Sequence, residues 1–224
     1  AGTIDGTGLN SAAVTACKAA GNFDEYAYVA DTLANTFMGF YNINRNQFAN
    51  ANDSTKVVSS QTEEEAERTK QAMQNVHFRR ALSMSLDRGS YLAQQVGDDL
   101  KYASMRNSFT PGNFVSLEEE VTVDINGTAT TFPAGTYYGE IMQAQIDADG
   151  VKIKVWDPTA NDGAGSSDGF DGWYSPENAV EELNQAVEEL AADGVTVDAE
   201  NPIQVDIVYP ANVESFTNRA NTTK

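Results

Sequence analysis

Apolar residues recur along this chain with two different periods, one helical and one strand-like. Leu9, Ala13, Val14, Cys17 and Ala20 fall on one face of a helix, which Gly21-Asn22 is placed to end. Residues 36–43 read Thr-Phe-Met-Gly-Phe-Tyr-Asn-Ile, a near-continuous apolar run that predicts a strand buried on both faces and central in its sheet. Residues 50–61 are polar and read as a loop. Glu63-Glu64-Glu65-Ala66-Glu67 then opens a helix with acid at its positive end, where the macrodipole favours it. A further helix is predicted over 76–86, with Phe78, Ala81, Leu82 and Leu86 along one face. Asp87 is expected to cap the next helix, which carries Tyr91, Leu92 and Val96.

The second half alternates more often. Residues 121–132 flank Asn126-Gly127, a strong hairpin signal, with Val121, Val123 and Ile125 on one arm and Thr128, Thr130 and Phe132 on the other. A second hairpin is predicted over 146–156, turning at Asp149-Gly150, with Val151, Ile153 and Val155 on one face. After a Gly-, Asp- and Ser-rich loop (157–173) comes a clear helix, with Ser175 as N-cap, Pro176 at its first position and Ala179, Val180, Leu183, Ala186, Val187 and Leu190 at helical spacing. Asp193-Gly194 is placed to end it. Ile203, Val205, Ile207 and Tyr209 then predict a half-buried strand ended by Pro210, and a last helix begins at Val213. Helix, strand and helix at such spacing predict an α/β (α+β) sandwich.

Charge narrows the classes of partner. Lys and Arg number 14 against 33 Asp and Glu, a formal charge of −19, so phosphate backbones and anionic lipid are repelled and no nucleic-acid partner is expected. The single cysteine, Cys17, excludes an internal disulfide and reads as a buried small hydrophobe. A nucleophilic role would need the only histidine, His77, beside it, and no local signature joins them. No run of about 20 apolar residues suits a membrane span. Phosphate loops, dinucleotide fingerprints and zinc spacings are missing, so no cofactor, metal or catalytic residue is assigned and the chain reads as a non-enzyme. An enzyme would need an acidic site in residues 157–171. Within that loop Asp157, Thr159, Asn161 and Asp168 fit positions one, three, five and twelve of a calcium loop. Asp162 stands where the turn needs Gly, however, and Asp replaces the bidentate Glu, so a surface loop is preferred. Aromatic side chains mark another candidate surface: Trp156, Trp173 and Tyr174 flank the acidic loop, and Phe109 and Phe114 flank Thr110-Pro111-Gly112, which together with a cleft would suit an apolar or peptide ligand.

One stretch is specific. Residues 75–88, Asn-Val-His-Phe-Arg-Arg-Ala-Leu-Ser-Met-Ser-Leu-Asp-Arg, resemble a signature of the family 5 extracellular solute-binding proteins, the oligopeptide-binding receptors of ABC importers. Three further segments match in order: Phe37 to Asn42 as a preceding strand, Phe109-Thr110-Pro111 as a Pro-containing loop, and residues 174–183 with Gly194 and the strand at Ile203 as the closing helix and strand. The chain departs from the family pattern in residues 115–172, where two hairpins and a loop replace a short link.

The resemblance implies a periplasmic-binding-protein type II lobe with inserted β-hairpins: residues 1–34 as a lobe-crossing segment and helix, entered near Gly2, and 35–224 as a partial second lobe with its insertion at about 115–172. The absence of an initial Met and the final helical pattern read as a piece of a longer protein. It further implies capture of an oligopeptide between two lobes that close by hinge motion, with the peptide held largely through its backbone. The implied setting is extracellular, as a membrane-anchored lipoprotein of a Gram-positive cell, or periplasmic, with ABC permease subunits as partners and a monomeric receptor. Asn35, Thr36, Phe37, Phe109 and Thr110 are the expected ligand-binding residues, and one lobe wall alone is expected to bind peptide weakly or not at all. Two alternatives are carried: an oligosaccharide or other solute as ligand, and a surface interaction module whose working face is the hairpin insertion.

Overall fold

The computed structural model describes residues 5–28, 35–44, 49–50, 53–57, 59, 61–160, 167–210 and 212–223. These fall into two compact units. The first takes Ala1–Phe37, Asp87–Trp173 and Pro210–Lys224, and the second takes Met38–Leu86 and Tyr174–Tyr209.

The second unit is a helical cluster. Helix α3 (Glu63–Gln74) begins with a capping box: Thr62 Oγ1 accepts from Glu65 N at 3.2 Å, and the Glu65 carboxylate accepts from Thr62 N at 2.7 Å. Asn75 ends α3 and caps α4 (Val76–Ser85), accepting from Phe78 N at 2.9 Å. Helix α7 (Pro176–Ala192) starts at Ser175 as predicted, although the Ser175 hydroxyl accepts from the Asn178 side chain (2.7 Å) and not from a backbone N–H. The apolar faces of these helices meet in one core of Ala72, Met73, Phe78, Ala186, Leu190 and Val195, with Leu82, Val197 and Ile203 packed against it. A short antiparallel ladder, β1 (Ala49–Asn50) with β2 (Asp53–Val57), lies in the stretch read from sequence as a loop. Its residues, Asp-Ser-Thr-Lys-Val in β2, carry neither an apolar run nor an apolar alternation that would mark a strand.

Residues 203–209 and 36–43 run without a ladder partner among the described residues. The second stretch corrects the expectation of a doubly buried central strand: Phe37 is 98 % exposed, and Met38, Phe40, Tyr41 and Ile43 are exposed as well. Among the described residues no strand pairs with this stretch, so no sheet layer covers these side chains. In residues 203–209, Gln204 O instead accepts from Thr69 Oγ1 (2.8 Å) and from the Gln61 side chain.

In the first unit, α1 (Ser11–Ala19) is capped by Asn10 and buries Val14, whereas Cys17 is only half-buried and not the core residue expected. A short helix α2 (Phe23–Tyr26) follows. Helix α5 (Arg88–Val96) is capped by Asp87, which accepts from Ser90 N at 2.8 Å. Strands β3 (Val121–Ile125) and β4 (Thr128–Phe132) form the predicted hairpin, with Asn126 and Gly127 both at positive φ (50° and 82°), as a tight two-residue turn needs. The second predicted hairpin is absent. Residues Tyr138–Ala148 form helix α6, and Gly150 (φ 69°) follows its end instead of turning two strands. The alternation was nevertheless real: Val151, Ile153 and Val155 are all buried. Their backbone finds its partner in a side chain, because Gln143 donates to Ile153 O (3.1 Å) and accepts from Val155 N (2.8 Å). The last helix, α8 (Glu214–Thr222), carries Arg219, whose guanidinium lies 5.2 Å from the Tyr91 ring centre.

The chain is therefore a mixed α/β protein, as predicted, but no ladder joins its extended segments into one sheet among the described residues.

Candidate functional site

Residues 105–114 of the first unit form a loop fastened from beneath by buried polar groups. Asp168, 2 % exposed, accepts from Asn107 N (2.6 Å) through one carboxylate oxygen and from Gly112 N (2.9 Å) through the other. One buried carboxylate thus pins both ends of the segment 107–112, and its own N–H donates to Met105 O at 2.8 Å. Asn107 adds a second anchor. Its Oδ1 accepts from Gly172 N (2.9 Å) and Arg88 Nη2 (2.7 Å), while its carbonyl accepts from Trp173 Nε1 (2.7 Å). Arg88 is held in turn by the Asp171 carboxylate through Nε (2.9 Å) and Nη2, and its Nη1 donates to Arg106 O (2.8 Å).

Glycine is required where this scaffold closes. A Cβ on Gly112 or on Gly139 would clash with Cε3 of the Trp156 ring, and a Cβ on Gly172 would strike the Lys154 carbonyl. The Trp156 ring is also paired with Tyr137, centre to centre at 5.7 Å.

The fastened loop presents its remaining side chains outward. Phe109 is 66 % and Phe114 is 54 % exposed, with Pro111 buried below. Residues 35 and 36 are tied to this loop: Thr36 Oγ1 donates to Phe109 O at 2.8 Å, and Arg106 Nη1 donates to Asn35 O at 2.7 Å and to Thr36 Oγ1. The result is a recess of about 80 Å³ walled by Thr36, Arg106, Phe109, Thr110, Pro111 and Phe114. Three of the five expected ligand residues, Thr36, Phe109 and Thr110, therefore meet around one recess. Asn35 supports it through its carbonyl, and Phe37 stands in solvent without lining it.

Sequence reasoning missed Arg106 as the residue that draws the two segments together. The available signal was a cation three residues before the Phe-Thr-Pro triplet, in a chain with few cations. A larger depression of about 420 Å³ is walled by Ser11, Thr15, Ser90, Gln94, Asp98 and Asp99 among others, and none of the expected ligand residues lines it. The Asp99 carboxylate there is engaged by Lys18 Nζ at 2.5 Å.

The other residues singled out from sequence have structural partners. Asp157 accepts from Lys154 Nζ (2.7 Å), then from the Thr159 hydroxyl (2.6 Å) and Thr159 N (2.9 Å), which hold its carboxyl well below the usual aspartate range, and Asn161 lies outside the described residues. In the second unit His77 Nδ1 lies 2.6 Å from Glu182 Oε2, with Glu189 Oε1 3.6 Å from its other nitrogen. Arg79 donates to Met73 O at 2.6 Å, and Arg80 lies 3.9 Å from Glu182. Among the described residues no cluster of three His, Cys, Asp or Glu side chains is placed to hold a metal ion, and no helix is long and apolar enough to cross a membrane.

No protein-family model matches the chain. It is similar to the oligopeptide-binding protein AmiA of Streptococcus pneumoniae, 30 % identical over 167 residues, which is 73 % of this chain and 22 % of that protein. The oligopeptide-binding protein AliB of the same species is 29 % identical over 175 residues, covering 78 % of this chain and 22 % of the relative. SarA of Streptococcus gordonii, also named an oligopeptide-binding protein, is 26 % identical over 156 residues, covering 70 % and 19 %. The chain thus spans about a fifth of the length of the relatives it matches. These relatives are named as binding proteins and not as enzymes.

Proposed function

We propose that this chain is part of a solute receptor and supplies one wall of the cleft in which an oligopeptide is held for an ABC importer. The observation that carries this reading is the recess at the Phe-Thr-Pro loop. Thr36, Phe109 and Thr110, three residues expected from sequence to touch peptide, are brought together there with the exposed ring of Phe114 beside them. Similarity to proteins named as oligopeptide-binding supports the choice of ligand. Exposed aromatic faces on a braced loop are poor as core and good as contact area, because the backbone that carries them is already held before a ligand arrives.

The receptor's other properties belong to the same proposal. This chain corresponds to most of a second lobe in a family 5 solute-binding protein, with residues 115–172 as its insertion. A facing lobe closes over the peptide by hinge motion, and permease subunits receive it. The setting is outside the cytoplasm, either as a lipoprotein anchored to a Gram-positive cell or in a periplasm, and the receptor works as a monomer without catalysis. Peptide binding to this chain alone is weak because the facing wall contributes nothing.

The test is a titration of the isotope-labelled chain, followed by NMR, with a pool of short peptides and separately with oligosaccharides. Expected are shifts of the Thr36, Phe109 and Thr110 resonances with peptide, saturating at concentrations on the order of 1 mM or above, and none with sugar. Shifts with sugar alone would move the ligand class, and silence towards both would overturn the proposal.

A further inference from the structure

We infer that Asn126-Gly127, at the tip of the β3–β4 hairpin, is a self-modification site, where loss of the Asn126 side-chain amide as ammonia irreversibly releases the hairpin from the end of α6. The inference stands apart from the peptide-receptor reading.

Three observations meet at this turn. The first is sequence and access. Asn-Gly occurs once in the chain. Both residues are exposed, and a Cβ built on Gly127 would meet nothing within 4 Å, so no packed element covers the turn. The second is the task of the amide. Asn126 Nδ2 donates to Ala148 O at 3.1 Å and to Asp149 Oδ1 at 2.9 Å, so one side chain ties the hairpin to the C-terminal end of α6, where helix carbonyls lack intrahelical donors. The third is a latch on the nucleophile, because Gly127 N donates to Asp124 Oδ1 at 2.8 Å.

The reaction needs water alone. The Gly127 nitrogen gives up its proton and bonds to Asn126 Cγ. The Cγ–Nδ2 bond breaks, and the amide leaves as ammonia with that proton. Water then opens the five-membered imide at either carbonyl, leaving aspartate or its β-linked isomer. In the folded hairpin both reacting groups are engaged, the nitrogen by Asp124 and the amide by α6, so the reaction runs through openings of the turn.

Afterwards the donor is gone. A carboxylate at 126 faces the Ala148 carbonyl and the Asp149 carboxylate, which Gln145 Nε2 also holds at 2.9 Å. Acceptor then stands against acceptor and negative charge against negative charge. Asp tolerates the positive φ of this turn (50°) as Asn does, so the α-linked product keeps the turn and loses only the tie to α6. The β-linked isomer adds a backbone carbon and loses the turn as well.

The whole chain is aged in mildly alkaline buffer, folded and in urea, and conversion at each Asn is read by peptide mass spectrometry with separation of the β-linked isomer. Asn126 is expected to convert ahead of every other Asn, about tenfold more slowly folded than in urea, and roughly threefold faster in folded Asp124→Ala than in folded wild type. In Asn126→Asp, amide hydrogen exchange across 121–132 is expected to quicken by about tenfold, while that of α7 stays as in wild type. Conversion at Asn126 no faster than at other asparagines would overturn the site. Equal rates in the folded and urea-treated chain would overturn the gating by the turn, and unchanged hairpin exchange in Asn126→Asp would overturn the release.

Discussion

At the scale of single residues, the candidate site depends on groups that never reach its surface. Asp168 holds two backbone N–H groups in a buried setting. An amide in its place presents only one oxygen, so Asp168→Asn leaves one N–H facing another donor. We expect a loss of about 1–3 kcal/mol in urea-induced unfolding. Gly139→Ala and Gly112→Ala act from the other side by driving Trp156 from its seat, and each is expected to cost about 1–3 kcal/mol in the same measurement. The partly exposed Arg88 pairs with the buried Asp171 carboxylate and makes further hydrogen bonds, and removing the guanidinium leaves that carboxylate without its cation. Arg88→Ala should therefore destabilise by roughly 3–5 kcal/mol, the largest effect among these variants.

At the scale of elements, helix boundaries carry a pH signature. The Ser90 hydroxyl, followed by backbone N–H donors, holds the Asp87 carboxyl below its ordinary value despite partial burial. A carboxyl depressed in the folded state stabilises the fold above its unfolded value and loses that contribution as pH falls through the folded one. Wild type should thus lose stability more steeply than Asp87→Ala below pH of about 4, while at neutral pH the variant should be weaker by about 1 kcal/mol. Chemical denaturation across that pH range checks both. Several helix boundaries were legible in the sequence because a cap is a local rule: Asp87, Pro176 and Gly194 each act within one turn, whereas the end of α6 at Asp149-Gly150 carries the same residues as a hairpin turn and read as one. Beyond the hairpin at 121–132, strand partners were not legible. Val151, Ile153 and Val155 alternate as a strand does, but nothing in that spacing says that Gln143 takes the neighbour's place. The exposed run at 37–43 shows the same limit, since hydrophobicity states a tendency to be covered and not what covers it. Within the site, the aromatic-Pro loop could be read from sequence, whereas the ties from Asp168, Arg88 and Arg106 depend on the chain folding back over separations that no motif encodes.

At the scale of the whole molecule, the charge of −19 acts on everything at once. Self-repulsion opposes compaction, and salt relieves it. The thermal midpoint is accordingly expected to rise by roughly 2–5 °C between low and physiological ionic strength, read by circular dichroism, a change that depends on no single ion pair. The same charge makes acid variants at exposed helix positions informative. Replacing Glu188 by Gln, exposed near the C-terminal end of α7, should be neutral or slightly stabilising, the opposite of what a structural ion pair would give.

Both tryptophans of the chain, Trp156 and Trp173, lie in the first unit, one seated on the backbone of Gly112 and Gly139 and the other donating to Asn107. The second unit has none, and its helices α3, α4 and α7 are matched by as much helix in the first. Ultraviolet emission therefore watches the braced loop alone, while the helical ellipticity of α3, α4 and α7 contributes only to the far-ultraviolet signal. A melt followed by both readouts separates the two halves without a dye or an added label, and any mismatch between the curves assigns the earlier transition to one of them.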